Sequence, residues 1–206
     1  MLPPLSFLFA ATLLAIIPGP GVTYVVARTA AGGSAEGIAS TLGATIGGML
    51  HVVAAALGLS VLVAQSALAF SMVKYLGAAY LVYLGIKLIV SRAAASDITT
   101  VKRAGARKAL RDGIIVEALN VKTAMFFLAF IPQFVNAEQA LAPQFILLGS
   151  ICVLLNSTVD LIAVFGVNRI VKSGVTKAAR ERVLSRLSGA TLMTLGVWVA
   201  AVNRER

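Results

Sequence analysis

Six stretches of about 20 residues or more, nearly free of charge, recur along the 206-residue chain: 5–27, 38–63, 68–89, 113–135, 143–167 and 183–202. About 20 apolar residues is what an α-helix needs to cross the hydrocarbon of a bilayer. The expected fold is an all-α membrane protein with six transmembrane helices, forming a single domain over 1–206. The composition excludes an ordinary soluble domain. Charged residues make up 13% of the chain and apolar ones 59%, whereas a soluble globular chain carries about 25% charged residues. Too few polar groups remain to cover a 21.3 kDa particle with a mean hydropathy of +0.92.

Other classes fall away in turn. Cys152 is the sole cysteine, so no disulfide scaffold is possible. One histidine, one cysteine and scattered carboxylates make no metal centre. No Walker motif or phosphate-cradling loop is present, so the chain is not expected to hydrolyse ATP, and no cofactor is implied. Catalysis is not expected either. His51 with Asp160 is the sole conceivable acid–base pair, and nothing local supports it. The first run lacks the basic lead-in of a signal peptide and is interrupted by Pro18-Gly19-Pro20, so it is expected to be a retained span.

Basic residues set the orientation. The connections after spans 1, 3 and 5 hold thirteen lysines and arginines, concentrated at 92–112 and 169–182, and the opposite side holds three. The basic loops are therefore expected in the cytoplasm and both termini in the periplasm. The net charge of +10 then reflects topology and attraction to anionic lipid. No aromatic interleaving or reader motif points to nucleic acid.

Spans 3 and 6 share a pattern. Lys74 stands three residues before Gly77-Ala78, and Leu84-Gly85-Ile86 follows; Arg186 stands three before Gly189-Ala190, and Leu195-Gly196-Val197 follows. Two halves of three spans, near 1–91 and 108–202, would have opposite orientations. Secondary transporters use such inverted repeats, with the substrate site at their interface and interrupted helices in matching positions. Span 1 has Pro18-Gly19-Pro20-Gly21, and span 4 has Asn120-Val121-Lys122 in the equivalent place. Two prolines in a helix interior all but ensure a break. Exposed backbone at such a break can bind a zwitterion, or the break can be a kink without a ligand.

Polar groups inside the spans are the other candidates. Lys122 lies about 13 Å deep, at about 1.5 Å per residue, where a lysine costs about 2.5–3.5 kcal/mol. Asp160 continues a stripe of Gly149, Cys152 and Asn156 along one helix face. It is either functional or part of an interhelical hydrogen-bond cluster. Glu117 shares a face with Asn120, but at about 6 Å from the cytoplasmic end it could also be solvated and idle. Glu117 and Lys122 lie about 140° apart on an ideal helix and converge only if span 4 is distorted. His51 sits on a small-residue face with Ala44, Gly47, Gly48, Ala55 and Gly58, where packing competes with proton transfer as its role.

Taken in order, these residues resemble the LysE/RhtB family of amino-acid exporters. The resemblance runs along nearly the whole chain. It rests on Pro18-Gly19-Pro20, on Gly43 and Gly47 to His51, and on Ala56-Leu57-Gly58-Leu59. It continues through Lys74 to Leu81, Gly113, Asn120 to Lys122, Phe126-Phe127, Pro132-Gln133-Phe134 and Asp160. Two departures stand out. The family pattern in span 4 is Asn-Pro-Lys, and Val121 here takes the proline's place, which puts the distortion of that span in doubt. The family often carries asparagine where this chain has Glu117.

The resemblance implies proton-driven export of amino acids or close derivatives from the bacterial inner membrane, by alternating access. Pro18, Gly19, Pro20 and Asn120 would then flank the substrate, with Lys122 meeting its carboxylate and either Asp160, beside Asn156, or Glu117 meeting its ammonium. Asp160, Glu117 and His51 would be the candidates for carrying the proton. The partners expected are an amino-acid substrate, protons and lipid, with a homodimer plausible through the Gly/Ala faces of spans 2 and 3. A same-fold transporter of another small solute or a cation is the alternative, and a non-transporting membrane subunit a more distant one.

Overall fold

The structure is a computed structural model that describes residues 3–17, 19–59, 102–136 and 138–171, with isolated positions between 66 and 86. Among the described residues the fold is all-helical, without a strand. In chain order it comprises α1 (Leu5–Ile16), α2 (Pro20–Gly32), α3 (Ser34–Ala54), α4 (Ala106–Ala118), α5 (Val121–Ala129) and α6 (Leu141–Val171). A π-helical turn, Ala55–Leu59, continues α3, and a 3₁₀ turn, Ile131–Phe134, follows α5. Spans 3 and 6, the sequence repeat between them, and the loop 169–182 lie largely or wholly outside the described residues.

Among the described residues two helices, Ser34–Gly58 and Leu141–Val167, are long and apolar enough to cross a membrane. The expected spans 1 and 4 are each a bent pair. α1 and α2 meet at 46°, and Ala106–Ala118 meets Val121–Phe134 at 43°. Counting each pair as one gives up to four candidate spans among the described residues. Element ends differ from expectation by a few residues. α2 runs to Gly32, and α3 starts at Ser34, directly after Gly33 at φ 78°. That left-handed conformation favours glycine, and it permits a one-residue reversal between two helices. α6 begins two residues before Pro143, which sits in the first turn where a missing N–H costs nothing. Part of the basic stretch expected as loop is helix: Arg107, Lys108 and Arg111 lie on the first turns of α4.

Packing follows residue size. Gly43 and Gly47 of α3 and Gly113 of α4 lie so close to the backbone of the facing helix that side chains have no room. A Cβ at Gly47 would stand 2.6 Å from the Ile114 carbonyl, and one at Gly113 2.7 Å from that of Ser40. Small residues allow this backbone approach in membranes, where lipid offers no hydrophobic drive for helix association. α3 also packs on α6, with Gly48 against Val153 and a Thr45–Ser157 hydroxyl contact of 2.7 Å.

The apolar core gathers at the end of the bundle away from the basic segments. Phe7, Phe126, Phe130 and Phe145 are fully buried there. Phe126 stacks on Phe130 at 4.5 Å, and Phe134 meets Phe7 edge-on at 5.3 Å. Large apolar side chains such as Leu5, Phe9, Leu57, Leu154 and Phe165 point outward, as a face toward acyl chains requires.

Candidate functional site

The two helix breaks face one another. α1 ends at Ile16, and Pro20 starts α2 at the first helical position, where its fixed φ is already helical. In the other pair the chain breaks at Leu119–Asn120. Asn120 caps α5: its side-chain oxygen accepts the N–H of Lys122 at 3.1 Å. The break is therefore present although Val121 stands where the family has proline.

Lys122 is buried, and its ammonium donates to the Leu14 carbonyl at 3.2 Å and the Ile17 carbonyl at 2.9 Å. The last carbonyls of a helix lack intrahelical donors and carry the negative end of its dipole. A cation held by two of them satisfies both sides. Gly19 makes room for the side chain: a Cβ there would lie 3.1 Å from both Cε and Nζ of Lys122. The second break thus pins the first. Pointed toward a substrate carboxylate by the sequence, this ammonium is engaged with α1.

Glu117 is buried and fully bonded. Thr123 Oγ1 donates to its Oε1 at 2.7 Å and Asn120 Nδ2 to its Oε2 at 3.0 Å. It is buried rather than solvated, and it lies beside Asn120. Oε2 also presses on the first turn of α2, where a Cβ on Gly21 would come within 2.6 Å of it. His51 Nε2 contacts the Glu117 backbone carbonyl at 2.9 Å, and its ring lies 5.9 Å from that of Phe127.

Glu117 and Lys122 line an open pocket between the helices. Its polar wall is Glu117, Asn120, Lys122, Thr123, Asn156, Ser157 and Asp160, and Gly21, Ala44 and Gly48 let it approach the helix backbones. The bend brings Glu117 and Lys122 into one wall, which a straight helix would not. Asp160 is 4% exposed, and its Oδ1 has no hydrogen-bond partner. An unpartnered buried carboxylate oxygen costs several kcal/mol at order of magnitude, so its position in a cavity wall invites a donor from outside the chain. The stripe through Cys152 and Asn156 faces inward as expected, with Gly149 against Phe127 and Val52.

Of the other candidates, Pro18 lies outside the described residues. Gly19 and Pro20 build the break without lining the cavity, and His51 also stands outside its wall. Among the described residues no group of three or more His, Cys, Asp or Glu side chains is placed to hold a metal. Thr123 and Ser157 are cavity residues that sequence reasoning passed over, and Gly21, read as part of the first break, lines the cavity as well. Thr123 was legible as the third residue after a helix-capping Asn120, and Ser157 as the neighbour of Asn156.

A second polar cluster closes the basic end. Glu36 is buried; its Oε1 accepts the N–H groups of Ala104 at 3.0 Å and Gly105 at 2.8 Å, and its Oε2 lies 3.5 Å from Arg28 Nη1. Arg28 also donates to the Lys102 carbonyl at 3.2 Å, and Tyr24 to that of Ala109 at 3.2 Å. The cavity therefore sits between this brace and the phenylalanine cluster.

Comparison with known proteins extends the geometry. A family model described as LysE type translocator matches residues 12–202. An uncharacterised membrane protein of Vibrio cholerae is 31% identical over 97% of this chain and 97% of its own length. A homoserine/homoserine lactone efflux protein of Salmonella typhimurium is 28% identical over 96% of each chain. A leucine efflux protein of Salmonella choleraesuis is 27% identical over 64% of this chain and 62% of its own. No solved structure matches at a significant level.

Proposed function

The chain belongs to the LysE type translocator family, and from that premise we propose that it is a secondary exporter of amino acids or close derivatives. It works at the bacterial inner membrane, by alternating access, and is driven by protons. The observation that carries this reading is the Asp160 carboxylate, buried with an unpartnered oxygen in the wall of a cavity between two broken helices. Such an oxygen is a receptor for an ammonium, the group all the expected substrates share. Homoserine and leucine, named for two relatives, both carry that ammonium.

The matching positions of the two breaks support an inverted arrangement of the halves. Each break is followed by a long unbroken helix, α3 in one half and α6 in the other. Residues 68–89 and 183–202 would complete the two triplets, with both termini in the periplasm. Closure by the Glu36 brace on one side and the phenylalanine cluster on the other supplies two gates, one on each side of the site. Asp160 is the first candidate to carry the proton, since a group that must release its ammonium partner gains from protonation. One charge moved through 100 mV supplies about 2.3 kcal/mol, enough for an outward gradient of nearly fiftyfold per proton.

Proteoliposomes preloaded with homoserine or leucine test this directly. Efflux should depend on the protein, fall to background with an uncoupler, and be lost on Asp160→Asn. Efflux that survives Asp160→Asn and Lys122→Ala together removes the site assignment, and transport of neither an amino acid nor a close derivative such as its amide or lactone removes the function.

A further inference from the structure

The cavity offers an ammonium a receptor, yet the places that would receive a carboxylate are already taken. Three groups in this region favour an anion: the Lys122 ammonium and the N-terminal turns of α2 and α5, whose first N–H groups lack acceptors within their helices. Lys122 is held by the Leu14 and Ile17 carbonyls. At the head of α5, Asn120 Nδ2 and Thr123 Oγ1 both donate to the Glu117 carboxylate. At the head of α2, the same carboxylate lies against Gly21, close enough that a Cβ there would meet Oε2 at 2.6 Å. Glu117 thus stands at the first turn of each helix, its two oxygens accepting hydrogen bonds from the side chains of Asn120 and Thr123. The group left with an open bond is acidic: Asp160 Oδ1, in the same wall and 4% exposed as a residue.

We propose that Glu117 is a tethered anion standing where a substrate carboxylate would otherwise bind, and that it sets the specificity of this transporter toward primary ammonium compounds whose carboxyl group is masked or missing. Amides, esters, lactones and amino alcohols of amino acids form the class. A free carboxylate entering the cavity meets Glu117 and Asp160 together, and Lys122 is turned toward α1. An ammonium without a carboxylate meets the Asp160 oxygen, while the cation of the same wall, Lys122, is held by the Leu14 and Ile17 carbonyls. Asn156, Ser157 and Thr123 provide neutral donors and acceptors for a hydroxyl or amide. Glutamine at 117 keeps the reach to Asn120 and Thr123 and removes the charge, so the helix N-termini regain their preference for an external carboxylate.

This inference rests on the exporter reading above, and the test separates the two. The full-length protein is purified in detergent. Binding is measured by thermal shift and titration calorimetry with alanine, homoserine and leucine, each as the free acid, the carboxamide and the amino alcohol, and with the matching acids lacking the amino group. The amides and alcohols should bind at least about tenfold more tightly than the free acids, about 1.4 kcal/mol. The acids without an amino group should not bind. In Glu117→Gln the gap should close to within about threefold, because the free acids gain rather than the amides lose. Free acids binding as tightly as their amides in the unmodified protein overturns the role of Glu117 while leaving the exporter intact, and needs no variant to fold. A gap that persists unchanged in a folded Glu117→Gln protein also overturns it. Binding of none of the amino compounds defeats the exporter reading instead.

Discussion

Glu36→Ala should release the segment that leads into α4, and the size of the effect follows from two bonds. The buried carboxylate accepts the Ala104 and Gly105 N–H groups at 3.0 and 2.8 Å, and its 3.5 Å approach to Arg28 is too long to add much. A hydrogen bond to a charged group contributes about 1.5–3 kcal/mol. Both N–H groups regain water once the segment opens, so the low end applies to each, and the loss is about 3 kcal/mol. That multiplies the opened population by about two powers of ten. Trypsin reads this population, because Lys102 and Arg103 flank the bond that Arg28 and Glu36 hold in place, and cleavage follows the open fraction when reclosing is fast. Cleavage at these sites should rise about a hundredfold in Glu36→Ala. In Glu36→Gln, which keeps one oxygen for the two N–H groups, it should rise less than about tenfold. Equal cleavage in all three proteins, followed by mass spectrometry, would mean that the brace is not what holds this segment.

Three further outcomes follow from the packing and the cavity. Asp160→Asn should lower transport at least about tenfold while the melting temperature in detergent holds or rises, because a buried carboxylate oxygen without a partner is removed; a large fall in both would mark Asp160 as structural. Gly21→Ala should reduce transport several-fold by pushing Glu117 off Asn120 and Thr123, and unchanged substrate preference in that variant would count against the contact. Gly43→Ala should cost about 1–3 kcal/mol, since the new methyl meets the Leu110 carbonyl rather than a side chain that can move. Its melting temperature should fall by several degrees at least, and an unshifted transition would show that α3 and α4 separate freely.

Parts of this architecture were legible because they depend on local chemistry. The apolar runs at 38–63 and 143–167 anticipate α3 and α6, and Pro20 with its glycine neighbours anticipates the first bend, since proline denies the helix a donor wherever it stands. The inward stripe from Gly149 to Asp160 is a matter of helical period. What could not be read are pairings over distance. The carbonyls that hold Lys122 belong to residues 108 and 105 positions earlier. Glu36 looks like an acid at the start of a helix, and its partners lie 68 and 69 residues on. The basic start of α4 reads as loop because its charges mask the helical period that Ala109 and Gly113 follow inward.

The second bend shows how the two kinds of information meet. With valine at 121 the backbone there can donate again, so nothing local forces the helix to stop. It stops because Asn120 caps the next segment and Glu117 bonds across the gap to both Asn120 and Thr123. A side-chain anion has taken over the role of the missing ring, at a position where the family often carries a neutral amide. The carboxylate at 117 braces the break through Asn120 and Thr123, and under the proposal above its charge is also what selects the ligand. Restoring proline at 121 in a Glu117→Asn background should accordingly keep the 43° bend and return the cavity to free amino acids, whereas Glu117→Asn alone should loosen the bend. A helix distance across the break, measured by paired spin labels in the three proteins, distinguishes these cases. Identical distances with and without the carboxylate would show that the bend has another cause.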